Sequence, residues 1–172
     1  MTTPEMLSAL RSMVCLVDTR EQDTPRARKR YKDIGIPIER KMLSVGDYSA
    51  KYTLPDGSDY IIPVAVERKM SLDELCNCFC QQSRARFKRE FERAKKQKIK
   101  LYLLVECATW EKAYLGQYRS KMAARSLVGS ILAYLARYDC QVIFCEPSTT
   151  GFLIRDILTR EGREALERMV DE

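Results

Sequence analysis

Histidine is absent from all 172 residues. That absence removes Ser-His-Asp and Cys-His triads, histidine general bases and His-liganded zinc. Any chemistry must run on carboxylate, lysine, thiol or a metal. No uninterrupted apolar run approaches the roughly 18 residues that a membrane-spanning helix needs, and Glu5 and Arg11 break the N-terminal apolar stretch that a signal peptide would require. No membrane partner is therefore expected, and the chain reads as intracellular: cytoplasm or nucleoid in a bacterium or phage, nucleus in a eukaryote. Neither G-x-x-x-x-G-K-S/T nor G-x-G-x-x-G occurs, which argues against a P-loop ATPase or a dinucleotide enzyme.

The 7 cysteines are odd in number and fall largely on apolar stretches, so a secreted disulfide framework is not expected. In the run Cys76-Asn77-Cys78-Phe79-Cys80, a helix would place Cys76 and Cys80 on one face and Cys78 elsewhere. No second ligand pair has C-x-x-C spacing, and the run reads as structural thiols rather than a zinc site.

What is present suits one α/β domain spanning residues 1–172. Hydrophobic residues make up 45% of the chain, without a repeat or a linker long enough to divide it. After a short N-terminal helix, Val14 to Val17 is a compact apolar run suited to a buried strand. Pro25 opens a basic helix to about Lys32, closed by Gly35 and Pro37. Ile38 to Leu43, Tyr48 to Leu54 and Tyr60 to Lys69 read as extended segments of a meander, the last two joined by the turn Pro55-Asp56-Gly57-Ser58. Ser71 with Glu74 is a capping-box signature for a helix, and Arg84 to Gln97 predicts another, with Phe87, Phe91 and Ala94 as its apolar stripe. Leu101 to Val105 and Gln141 to Cys145 read as strands around a helix marked by Leu127, Ile131, Leu135 and Tyr138. A final helical region from Phe152 is expected to break at Gly162. Strands alternating with helices predict a central mixed β-sheet flanked by helices, parallel toward its C-terminal end.

Carboxylates at strand ends carry the functional information: Asp18 closes the first strand, Asp47 follows Gly46, and Glu67 nears the end of another strand. Such positions line the sheet edge where ligands commonly sit. Side chains alternate faces along a strand, so Glu67 and Lys69 share one face and Arg68 takes the other. A carboxylate beside an ammonium, joined by a separate aspartate, can hold a hard divalent cation and place a water next to it.

The full pattern is Asp18-Thr19-Arg20-Glu21, then Gly46-Asp47, nineteen residues, then Glu67-Arg68-Lys69-x-x-x-Asp73. It resembles the nuclease domain of the XPF family of structure-specific endonucleases, over about residues 13 to 160. The resemblance implies a restriction-endonuclease-like core hydrolysing a DNA phosphodiester with Mg²⁺ or Mn²⁺. It implies Asp47 and Glu67 as metal ligands with the Arg68 carbonyl, and Asp18 assisting directly or through a water. Lys69 would position the nucleophilic water, with Arg20, Glu21, Arg68 and Asp73 supporting the site or contacting phosphate. Branched, flapped or junction DNA is the implied substrate, in repair, recombination or replication.

Charge gives separate support, with 30 basic against 24 acidic residues and a net charge of +6. Arg84 to Lys100 holds nine basic and two acidic residues, and Arg26 to Lys32 holds five basic and none acidic. Arg26, Arg28, Lys29, Arg30, Arg84, Arg86, Lys88 and Arg89 are the candidate DNA-backbone contacts. Relatives usually add a tandem helix-hairpin-helix module that grips duplex DNA, for which no room is expected after Thr159. The expected grip then comes from the basic helices, self-association or another protein. The stripe Leu127, Ile131, Leu135, Tyr138, with Phe152, Ile157 and Leu158, is a candidate homodimer or heterodimer face; its other reading is that it covers the sheet. The competing functional class is a non-catalytic DNA-binding or partner-scaffolding module of the same fold.

Overall fold

A computed structural model describes residues 1–171. The elements in chain order are α1 (Thr3–Arg11), β1 (Val14–Val17), α2 (Pro25–Ile34), β2 (Ile38–Arg40), β3 (Tyr48–Thr53), β4 (Asp59–Ile61), β5 (Val64–Lys69), α3 (Leu72–Phe79), α4 (Gln81–Lys96), β6 (Lys100–Glu106), α5 (Trp110–Tyr114), α6 (Ala124–Tyr138), β7 (Gln141–Cys145) and α7 (Thr150–Asp171). The strands make a mixed sheet flanked by helices, as the alternation of periodicities predicts. The chain divides into two compact units: Met1–Leu43 with Asp47–Val64 and the segment from Gly151 onward, and Ser44–Gly46 with Ala65–Thr150.

In the first unit β1 pairs in parallel with β2, Cys15 opposite Ile38, and antiparallel with β3, Val17 opposite Tyr48. β4 runs antiparallel to β3, with Tyr52 opposite Tyr60. The expected meander is therefore corrected: β2 lies beside β1. The extended segment expected from Tyr60 to Lys69 breaks near Pro63, which has no N–H to give a ladder, into β4 and β5. Thr24 caps α2 by accepting from the Ala27 N–H at 3.1 Å, and Pro25 occupies its first turn.

α7 runs unbroken through Gly162, and the expected break does not occur. The glycine is there for space: a Cβ would lie 2.1 Å from the Tyr52 hydroxyl oxygen. Tyr52 is fully buried and its O–H donates to the Leu158 carbonyl at 3.0 Å, so the ring cannot step aside.

The second unit holds β5, β6 and β7, with β6 and β7 parallel from Tyr102 opposite Gln141 to Glu106 opposite Cys145. Its core is aromatic where α3, α4 and α6 meet. Tyr134 stacks on Phe87 at 5.4 Å and meets Phe79 and Phe91 edge-on at 5.2 and 4.9 Å. Such pairs contribute about 0.5–1.5 kcal/mol each beyond area burial. Phe87, Phe91 and Ala94 are buried, as the stripe predicts. Ser71 Oγ accepts from the Glu74 N–H, and the Glu74 carboxylate accepts from Met70 rather than from the cap residue itself.

Gly162→Ala is expected to destabilise the chain by about 1–3 kcal/mol, the usual cost of overpacking a filled site. Urea unfolding checks this. A midpoint equal to wild type would show that the α7 and Tyr52 contact is not tight.

Candidate active site

The turn after β1 is built on Asp18, whose side chain is 2% exposed. Asp18 Oδ1 accepts from the backbone N–H and Nε of Arg20 at 2.8 and 2.6 Å, and Oδ2 from the Leu43 N–H and Arg20 Nη2 at 2.7 and 3.1 Å. Burial raises the Asp18 pKa, but Arg20 and the backbone donors outweigh it and hold the carboxyl below the usual aspartate range. With four donors on its two oxygens, Asp18 locks the turn. To assist a metal directly or through a water, as expected, Asp18 would exchange one of these donors, and the Arg20 side chain, 61% exposed, is the one able to move. The backbone N–H of Asp18 donates to the Asp47 carbonyl at 2.8 Å, which ties the Gly46-Asp47 segment to that turn.

Two further expectations change in this unit. Arg30 is buried: its Nε donates to the Tyr48 hydroxyl and its Nη2 to Glu21 Oε1, both at 2.7 Å. It is an internal ion pair rather than a DNA contact, and it engages Glu21 as well. Arg28 pairs with Asp23 at 2.8 Å and Lys29 with Asp33 at 2.7 Å, while Arg26 remains exposed.

In the second unit, β5 sets out its signature as strand alternation requires. Glu67 accepts a hydrogen bond from the Lys69 ammonium, which also lies 5.4 Å from the centre of the Phe87 ring. Both side chains are largely buried, 6% and 12% exposed. Arg68 Nη1 instead reaches Glu106 Oε2 at the end of β6, 3.3 Å away, and Glu106 Oε1 accepts from the Thr150 hydroxyl at 2.7 Å. Glu106 is buried and had no assigned role; the available signal was an acid closing a continuous apolar strand.

Gly46 sits at φ 72°, where a Cβ would press on Ala65 Cβ at 2.9 Å and the Val66 carbonyl oxygen at 3.1 Å. Its N–H donates to Glu90 Oε1 of α4 at 3.0 Å. The glycine before Asp47 thus answers a close approach to β5 together with a left-handed backbone.

Asp73 does not approach the Glu67 and Lys69 pair through any hydrogen bond. Its Oδ1 accepts from the backbone N–H groups of Arg119 and Ser120 at 2.8 and 2.7 Å, pinning the loop after α5. Among the described residues no group of three or more His, Cys, Asp or Glu side chains gathers as a metal-binding set.

A model of the ERCC4 domain matches residues 17–154. The chain belongs to the ERCC4-domain family. Its fold is that of XPF nuclease domains. One XPF structure from Aeropyrum pernix aligns with TM-score 0.58 at 20% identity over 84% of this chain, and another, a complex with DNA, with TM-score 0.61 at 22% identity over 88%. This ERCC4 domain spans 59% and 66% of those two chains, somewhat less than two thirds of their length. Among curated proteins none matches.

The remaining expectations can be placed on the ERCC4 domain. Arg84, Arg86, Lys88 and Arg89 are all exposed along α4, and Lys88 also pairs with Glu92 at 3.2 Å. The apolar stripe of α6 packs into the core of its own unit: Leu127 and Ile131 are fully buried, and Leu135 and Tyr138 pack against that core. Leu158 is likewise fully buried, whereas Phe152 is 43% exposed. Leu127, Ile131 and Leu158 are therefore used by the cores of their own units, whereas Leu135, Tyr138, Ile157 and Phe152 keep part of their surface exposed.

Cys76 is buried and Cys80 exposed, because α3 ends at Phe79 and Cys80 turns out in extended conformation; the two do not share a helix face. Burial pushes the Cys78 thiol up to about 11, with Glu74, Glu67 and Glu90 adding to the shift against Lys69. The thiol beside the Glu67 and Lys69 pair is therefore neutral and not a nucleophile.

Asp18→Asn is expected to cost about 1–3 kcal/mol, because the amide turns a donor toward Leu43 or Arg20 where an acceptor is needed. The folded Asp18 pKa lies below the unfolded value of about 3.9, so its stabilisation is complete above that value and is lost as pH falls through the folded pKa. Acid titration of stability should then be shallower in the variant; identical slopes would refute the lock. Asp73→Ala should free the loop and speed tryptic cleavage after Arg119 and Lys121 several-fold. An unchanged proteolysis rate would show that the loop is held by other means.

Proposed function

We propose that this ERCC4 domain is a divalent-cation-dependent endodeoxyribonuclease that cuts branched, flapped or junction DNA. The observation that carries the reading is the largely buried Glu67 and Lys69 pair at the end of β5, inside an intact Gly46-Asp47 and Glu67-Arg68-Lys69-x-x-x-Asp73 signature. An XPF of the same fold is recorded in complex with DNA, which supports DNA as the polymer bound.

In a chain without histidine, carboxylate and carbonyl oxygens are the donors suited to Mg²⁺ or Mn²⁺. Asp47 and Glu67, with the Arg68 carbonyl, are the residues that would hold the ion. Asp18 would assist them directly or through a water, on exchanging one of its present donors. Bound there, a divalent cation supplies Lewis-acid polarisation of the scissile phosphate.

The chain's own groups do the rest. Lys69 lies between a carboxylate and an aromatic face, where its ammonium is held in one orientation. From there it positions a water and offsets the negative charge that grows on the phosphate in the transition state. Arg68, held by Glu106, keeps the strand end rigid. The exposed cations of α4 attract the backbone of the substrate.

A second reading, a non-catalytic DNA-binding or partner-scaffolding module, rests on the exposed cations of α4, which bind a phosphate backbone whether or not it is cut. Cleavage of labelled fork and flap substrates decides between them. Glu67→Gln and Lys69→Met should each lower cleavage with Mg²⁺ or Mn²⁺ by about 10²-fold or more while leaving DNA binding within a few-fold. Binding without product in the wild type, whatever the cation, would establish the second reading.

A further inference from the structure

Within the second unit, α4 and α6 enclose a groove of about 310 Å³ that touches none of the signature residues. Arg84, Arg125 and Arg137 stand around it with the hydroxyl-bearing Ser126 and Ser130. All three arginines are exposed, and among the described residues none of them forms an ion pair. Arg137 rests on the Tyr138 ring at 5.9 Å, which steadies its guanidinium without neutralising it.

The floor is built for close approach. Ser126, Gly129, Ala133 and Arg137 recur at helical spacing along one line of α6, over a length of about 16 Å. Gly129 and Ala133 add almost no side chain to that line. The chain is also free of acids from Lys112 to Tyr138, where it carries Lys112, Arg119, Lys121, Arg125 and Arg137. A stretch of that length can face more than one phosphate of a single strand.

We infer that this groove is a second nucleic-acid track, which takes the sugar-phosphate backbone of a strand outside the Glu67 and Lys69 site. Arginine suits the task because its planar fork bonds phosphate bidentately. A second copy of the chain is a poor occupant, since two-fold pairing would set these guanidiniums against one another. The inference deepens the nuclease reading and rests on it, adding where a second arm of a branched substrate is held.

The test measures anisotropy of a labelled oligothymidylate strand against salt, together with fork cleavage in Mg²⁺ or Mn²⁺, for the full chain and its variants. Arg125→Ala/Arg137→Ala is expected to weaken strand binding about tenfold and to lower the salt slope by about 1.4, two single-strand phosphate contacts at ~0.7 each. Arg125→Lys/Arg137→Lys, which keeps the charge, is expected to retain most of that slope and serves if the alanine variant fails to fold. Wild-type affinity and slope in the alanine variant, with wild-type protein still cleaving, would overturn the groove and leave the nuclease reading standing. Loss of strand binding in the alanine variant, with Glu67→Gln cleaving like wild type, would support the groove and sink the catalytic assignment. Tighter binding of polyglutamate than of the strand, or a changed mass in light scattering for the alanine variant, would give the groove to an acidic protein or a second copy and overturn the inference.

Discussion

The Lys69 ammonium is held by the Glu67 carboxylate and the face of Phe87, and the candidate chemistry depends on that placement. It follows from two constraints. Strand alternation brings residues 67 and 69 to one face of β5. The aromatic cluster of α3, α4 and α6 then supplies a ring where the ammonium ends. A lysine so confined loses the rotamer freedom that would otherwise blur its position. The neutral Cys78 thiol nearby adds no competing charge.

Within each unit, acids are committed to backbone N–H groups. Asp18 takes those of Arg20 and Leu43, Asp73 those of Arg119 and Ser120, and Glu90 that of Gly46. Each bond satisfies a donor in a segment with no ladder partner, and each fixes a loop that a strand-end site requires. Acids of the signature thus hold backbone as well as whatever else they do. Cations divide in the same way. Arg30 and Arg68 are paired inside their units, while Arg84, Arg125 and Arg137 are exposed and form no ion pair among the described residues.

The fold was legible where local chemistry is decisive. β1 and β7 begin and end where their apolar runs do, α2 begins at its Thr24 and Pro25 start, and the α4 stripe points inward. It was less legible where a distant partner decides. Nothing near Gly162 announces that Tyr52 fills the space of its missing side chain, so a glycine inside a helical pattern reads as a break. Nothing near residues 38–43 says that β2 pairs with β1 rather than β3. The basic run at residues 26–32 has a uniform charge pattern, yet burial and pairing with Glu21 remove Arg30 from the surface.

By itself the sequence determined the α/β class, the family signature and the shared face of Glu67 and Lys69. These rest on residue identity, spacing and the two-residue period of a strand, all of which are local. Only the tertiary structure decided which charged groups are consumed internally and which remain outside. Asp18, Arg30 and Asp73 were assigned by partners 9 to 47 residues away. The groove of α4 and α6 likewise exists only once those helices lie side by side. The physical reason is that a side chain's charge is written in its formula, whereas its solvation and its partners are set by whatever the folded chain brings beside it.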